Sequence, residues 1–104
     1  MTEHAVGKLS DFTPGALRGF ELDGWSIAVL RLGDSFYAFD NYCTHEGVTF
    51  TSGYGVVAKN RVVCMLHSSA FDVATGEVLT GPASDALTKY EVRIDGDDVF
   101  VEVP

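Results

Sequence analysis

Turn-forming pairs interrupt this chain so often that long helices have no room. Asp23-Gly24, Gly33-Asp34, Thr75-Gly76 and Asp95-Gly96 are the clearest, and 11 glycines punctuate the 104 residues. Between the turns lie short runs rich in β-branched and aromatic residues, the spacing of an all-β sandwich or barrel. Residues 25–32 read as a strand with apolar side chains at 25, 27 and 29 and small ones at 26 and 28. Residues 16–22 are its expected hairpin partner across Asp23-Gly24. Residues 36–39, 61–64, 70–73 and 77–80 read as further strands. Residues 87–94 and 99–103 form a last hairpin around Asp95-Gly96-Asp97-Asp98, expected to pair with the first hairpins.

A chain of 11.2 kDa builds one core, so residues 1–104 are read as a single domain. Its 46% hydrophobic and 21% charged residues are those of a self-folding globule. With 7 basic and 15 acidic side chains the net charge is −8, which excludes nucleic acid as a partner, because phosphate binding needs clustered Lys and Arg. The charge is uneven. Residues 85–104 hold six acids against two bases, while residues 41–84 hold three against two. No stretch reaches the ~20 apolar residues of a membrane span, and Met1-Thr2-Glu3-His4 lacks the basic and apolar parts of a secretion signal. A cytoplasmic, reducing address is expected, where a structural disulfide between Cys43 and Cys64, the only cysteines, is not.

Those cysteines carry the chemistry. Cys43-Thr44-His45 is C-x-H, and Cys64-Met65-Leu66-His67 is C-x2-H, each just past the end of an expected strand. Taken singly, such residues are more often buried fillers than ligands. Taken together, two mixed thiolate–imidazole loops point to zinc or iron rather than magnesium or calcium. Zinc usually draws each half-site from one ligand type. A two-iron cluster suits the mixed loops better, with both thiolates on one iron and both imidazoles on the other. A structural zinc module, an interaction domain stapled by the same four residues, is the alternative of a different class.

The ligand motifs resemble those of the Rieske proteins, and within them the small Rieske-type ferredoxins that serve bacterial ring-hydroxylating, or aromatic, dioxygenases. Cys43-Thr44-His45-Glu46-Gly47, Cys64-Met65-Leu66-His67, Phe71-Asp72, Thr75-Gly76 and Gly81-Pro82-Ala83 carry the resemblance over nearly the whole chain. It implies an antiparallel β-sandwich with a smaller cluster-binding β subdomain, residues 41–84, whose ligand loops span about 41–50 and 64–70. It implies one 2Fe-2S cluster held by Cys43, His45, Cys64 and His67 and covered by the loop of Gly81 to Ala83. The implied role is that of a one-electron carrier, not an enzyme by itself, between a flavoprotein ferredoxin reductase and a terminal oxygenase. Both partners bind transiently, and the carrier is a monomer. A nearer alternative is a Rieske-type small subunit of a larger reductase complex such as nitrite reductase.

Departures from the pattern also inform. Respiratory Rieske proteins carry a disulfide where this chain has Val48 and Leu66, and a serine and a tyrosine of which this chain keeps the serine, as Ser69, and has Phe71 for the tyrosine. A midpoint potential at the low end of the Rieske range of about −150 to +300 mV is therefore expected. Val48, Phe50, Leu66 and Pro82 are expected to form an apolar rim around the cluster, with the acidic residues 85–104 at the opposite end. His4, the one remaining histidine, is expected on the surface. Without two further histidines and a carboxylate there is no oxygen-activating iron site, and no G-x-G-x-x-G segment offers a nicotinamide or flavin site.

Overall fold

The structure is a computed structural model that describes residues 2–44, 48–66 and 68–104. Ten strands run in chain order: β1 (Thr2–Lys8), β2 (Leu17–Leu22), β3 (Trp25–Leu32), β4 (Ser35–Asp40), β5 (Gly55–Ala58), β6 (Arg61–Cys64), β7 (Ala70–Asp72), β8 (Val78–Thr80), β9 (Lys89–Asp95) and β10 (Asp98–Val103). Short 3-10 turns at Leu9–Asp11 and Phe50–Ser52 are the only helical elements among the described residues. The strands form a six-stranded sheet, β1-β10-β9-β4-β3-β2, and a four-stranded sheet, β5-β6-β7-β8.

The expected first hairpin forms as read. Leu22 pairs with Trp25 and Leu17 with Leu30, and Asp23 and Gly24 are both left-handed, at φ 53° and 84°, as a tight two-residue hairpin turn requires. The alternation in β3 is only half the story. Ile27 and Val29 face one core, and Ala28 and Leu30 face a second, all with no exposed surface. A strand buried on both faces must lie between two layers, and β3 does.

The first core packs Ile27, Val29 and Ala38 against Val99, Val101 and Val103 of β10. The large sheet curls to enclose it until its two edges meet. His4 of β1 and Asp23 at the β2–β3 turn approach to 2.9 Å, and Arg31 Nη1 donates to Leu9 O at 3.0 Å. His4, expected on the surface, is a partly exposed strand residue paired with Val101. The expected pairing of the last hairpin with the earlier ones runs through β9, whose Tyr90 and Lys89 face Ala38 and Phe39 of β4.

The second core joins the two sheets. Ala28, Leu30 and Phe39 of the large sheet pack with Phe50, Val62, Phe71, Cys43 and Cys64. The rings of Phe39 and Phe71 both meet Phe50 edge-on, at 6.1 and 6.2 Å, the arrangement aromatic quadrupoles favour. Each such ring contributes about 1.5–3 kcal/mol by burial.

Candidate metal centre

The two ligand loops leave the ends of strands that the sequence marks clearly. β4 runs out at Asp40, and Cys43 follows; β6 ends on Cys64 itself. Both thiols are 1% exposed, no disulfide joins them, and both face the core between the sheets. His45 and His67, with Glu46 and Gly47, lie outside the described residues. Of the four sequence-predicted ligands, the structure therefore places the two sulfurs.

Backbone bonds shape each loop. In the first, Cys43 N–H donates to Val48 O at 2.9 Å. In the second, Cys64 N–H donates to Ser69 O and Ser68 N–H to Cys64 O, both at 2.8 Å. Ser68 pays for that tight turn with a left-handed φ of 61°. Met65 N–H reaches across to Tyr54 O at 2.7 Å, so the approach to β5 lies against the second loop.

The third loop, around Pro82, is tied to both others. Ser69, fully buried, accepts the Ala83 N–H on Oγ at 3.0 Å. Thr44 Oγ1 donates to Asp85 O at 2.7 Å. The segment from Ala83 to Asp85 is thereby held against both cysteine loops. Phe71-Asp72 and Thr75-Gly76 serve structure: Asp72 Oδ1 accepts from the Ala74 and Thr75 N–H groups. A Cβ at Gly76 would stand 2.3 Å from Leu87 O, which only glycine avoids.

Among the described residues, exposed apolar side chains stand next to both cysteines. Met65 is 58% and Leu66 44% exposed, Tyr54 is exposed beside Met65, and Tyr42 is exposed next to Cys43 in sequence. Of the expected rim residues, Pro82 is exposed and Val48 is half-buried against the core between the sheets. Phe50 is a correction: it is 1% exposed and belongs to the core. The cause is Gly55, where a Cβ would lie 2.6 Å from Phe50 Cβ. That close approach lets β5 lie over Phe50 and seal it. Met65, Tyr54 and Tyr42 were not among the expected rim residues; their position beside the cysteine loops is the signal that could have found them.

The donor chemistry fits a metal–sulfur centre. Two thiols withdrawn from water, on two loops fixed by backbone bonds and sharing one core, suit an iron–sulfur cluster and deny it a stray oxidant. Among the described residues no group of His, Cys, Asp and Glu forms a separate metal site.

Residues 2–91 match the Rieske [2Fe-2S] domain. The chain is 37% identical over 78 residues to the 3-phenylpropionate/cinnamic acid dioxygenase ferredoxin subunit of Escherichia coli K12, covering 75% of this chain and 73% of that protein. Its fold superposes on the ferredoxin of carbazole 1,9a-dioxygenase from Nocardioides aromaticivorans IC177 with a TM-score of 0.89, 33% identity and 97% of each chain covered. A chain in a complex of reduced oxygenase and oxidized ferredoxin in carbazole 1,9a-dioxygenase is 32% identical, with a TM-score of 0.88 over 95% of this chain and 91% of that one. With its two buried cysteines on separate loops, its two β-sheets and its match to the family over residues 2–91, the chain belongs to the Rieske 2Fe-2S family.

Proposed function

We propose that Cys43, His45, Cys64 and His67 hold one 2Fe-2S cluster, both thiolates on one iron and both imidazoles on the other. The chain is then a single-domain, one-electron carrier between a flavin-dependent NAD(P)H reductase and a terminal ring-hydroxylating oxygenase. When bound, the cluster supplies one reversible electron and no bond chemistry. The chain's own residues do the rest: they exclude water from the sulfurs, hold the loops and present a face to partners.

One observation carries this reading. Cys64 is 1% exposed, yet Met65 and Leu66, the next two residues, are 58% and 44% exposed. A buried ligand backed directly by exposed apolar side chains is the geometry for outer-sphere transfer, where a partner must come close without touching metal. The similarity to oxygenase-linked ferredoxins supports the same assignment. His45 and His67 lie in the same two sequence stretches and are the proposed exit for the electron.

The acidic hairpin plays a lesser part. Asp95, where β9 enters the turn at Gly96-Asp97, lies six residues along the strand from Lys89, the end near which the chain enters the first loop, or roughly 20 Å away at the strand rise. Two of its acids have partners: Asp98 meets Lys8 at 2.6 Å, and Asp95 meets Arg93, which also pairs with Glu3 of β1. A solvated face that weakly orients encounters fits these pairs. Among the described residues no helix is long and apolar enough to cross a membrane, in keeping with the proposed cytoplasmic carrier.

The test is reduction of the purified protein by NADH. The account expects a separate flavoprotein to be required. Rapid reduction with this chain alone, or its permanent co-purification inside a large reductase complex, would contradict it.

A further inference from the structure

The first ligand loop is closed at its neck by two rungs. The inner rung is the backbone bond from Cys43 N–H to Val48 O. The outer rung is made by one side chain. Asn41 Nδ2 donates to Thr51 Oγ1 at 2.7 Å, and Asn41 Oδ1 accepts the Thr51 N–H at 3.2 Å. An amide that donates and accepts at once has a single orientation, and it does so without placing a charge beside the thiolates. Asn41 is 4% exposed. Its own N–H donates to Ser26 O at 2.9 Å, so β3 holds the amide in place before it reaches Thr51.

The large sheet backs this rung from outside. At Gly19 in β2 a Cβ would stand 2.8 Å from Thr51 Oγ1 and 2.9 Å from Asn41 Nδ2. Gly19 pairs with Ala28 in regular strand geometry, so the position needs space rather than a left-handed backbone. A polar groove lined by Gly19, Ser26, Asn41, Thr49 and Thr51 opens onto the rung, so once the rung opens, water has a path toward the neck.

We infer that Asn41, Thr51 and Gly19 form a clamp that holds the two ends of the first ligand loop together, which makes Asn41 a positioning residue for the metal centre. The inference rests on the proposed ligand set. The clamp orders both ends of the loop before any metal arrives, so the ordering cost is met by the fold and not by binding. It also couples the edge strand of the large sheet to a loop more than twenty residues away in sequence, with no contact to metal required.

Three variants of the intact, iron-loaded protein test it. Thr51→Val keeps volume but removes the hydroxyl, and Gly19→Ala crowds the rung from β2. Both should speed amide exchange at Cys43 by about tenfold or more while leaving the β9–β10 hairpin protected. Both should also shift the EPR g values of the reduced protein and hasten iron loss to a chelator. Thr51→Ser retains the hydroxyl and should match the wild type in every readout. Wild-type exchange at Cys43 and an unchanged spectrum in both Thr51→Val and Gly19→Ala would overturn the clamp. A wild-type chain that binds no iron would instead defeat the ligand assignment, and the exchange rates would still decide the clamp.

Discussion

Ser69 Oγ accepts the backbone N–H of Ala83 at 3.0 Å, joining the second cysteine loop to the loop around Pro82 in a site closed to solvent. Because the oxygen is the acceptor, the hydroxyl proton is left to point elsewhere, and the sulfur side of the loop is where a donor favours the reduced cluster. Ser69→Ala leaves a buried N–H unpaired, which costs about 1–3 kcal/mol. Thermal or urea unfolding should show that loss, and the midpoint potential should fall with it. A variant as stable as the wild type would mean that the two loops hold each other by other contacts.

Met65 and Leu66 are exposed apolar side chains that directly follow Cys64. A charge placed there touches no core, so Leu66→Glu or Met65→Glu should change stability by less than about 0.5 kcal/mol and leave iron content intact. Stopped-flow transfer to the oxygenase should slow by about tenfold, since a charge at an apolar contact disfavours docking. Unaltered transfer rates would move the docking face away from this tip.

Lys89 ties the sheets together, with its Nζ donating to Val73 O and lying over the rings of Tyr37 and Phe39, at 5.0 and 5.5 Å. Burial lowers its pKa to about 8, against the opposing pull of Asp72 and Glu91. The unfolded chain holds that proton to about pH 10.4, so between pH 8 and 10 the unfolded state binds more protons and stability rises with pH. Below pH 8 the contribution is flat. Above pH 10 the trend is opposed by Tyr90, whose phenol is raised by burial and by its bond to Asp40. Unfolding curves of the wild type and Lys89→Met should therefore diverge from pH 8 to 10 in favour of the wild type. Parallel curves would contradict the burial of this amine.

The legible parts of the fold were those with local signals. Asp23-Gly24 and Asp95-Gly96 mark hairpins because left-handed turns demand such residues, and β3 and β6 have the bounds their apolar runs suggest. The resemblance named the cysteine loops. What escaped depends on distant neighbours. Leu30 is buried because a second layer covers β3, which no alternation within β3 reveals. β5 was not expected, because Gly53 and Gly55 flank Tyr54 and hide a strand that forms by pairing with β6. Phe50, expected on the rim, is a core residue because Gly55 lets β5 close over it. Asn41 carried no motif at all; only the meeting of β2, β4 and residue 51 gives it a role.

Metal and sulfide analysis, joined to EPR, tests the central claim most directly. Protein purified in air should contain two irons and two acid-labile sulfides per chain and give a Rieske-type signal after reduction. Cys43→Ser and Cys64→Ser should each abolish it, because the chain has no other thiol to substitute. Zinc in place of iron, or a single iron without sulfide, would contradict the account.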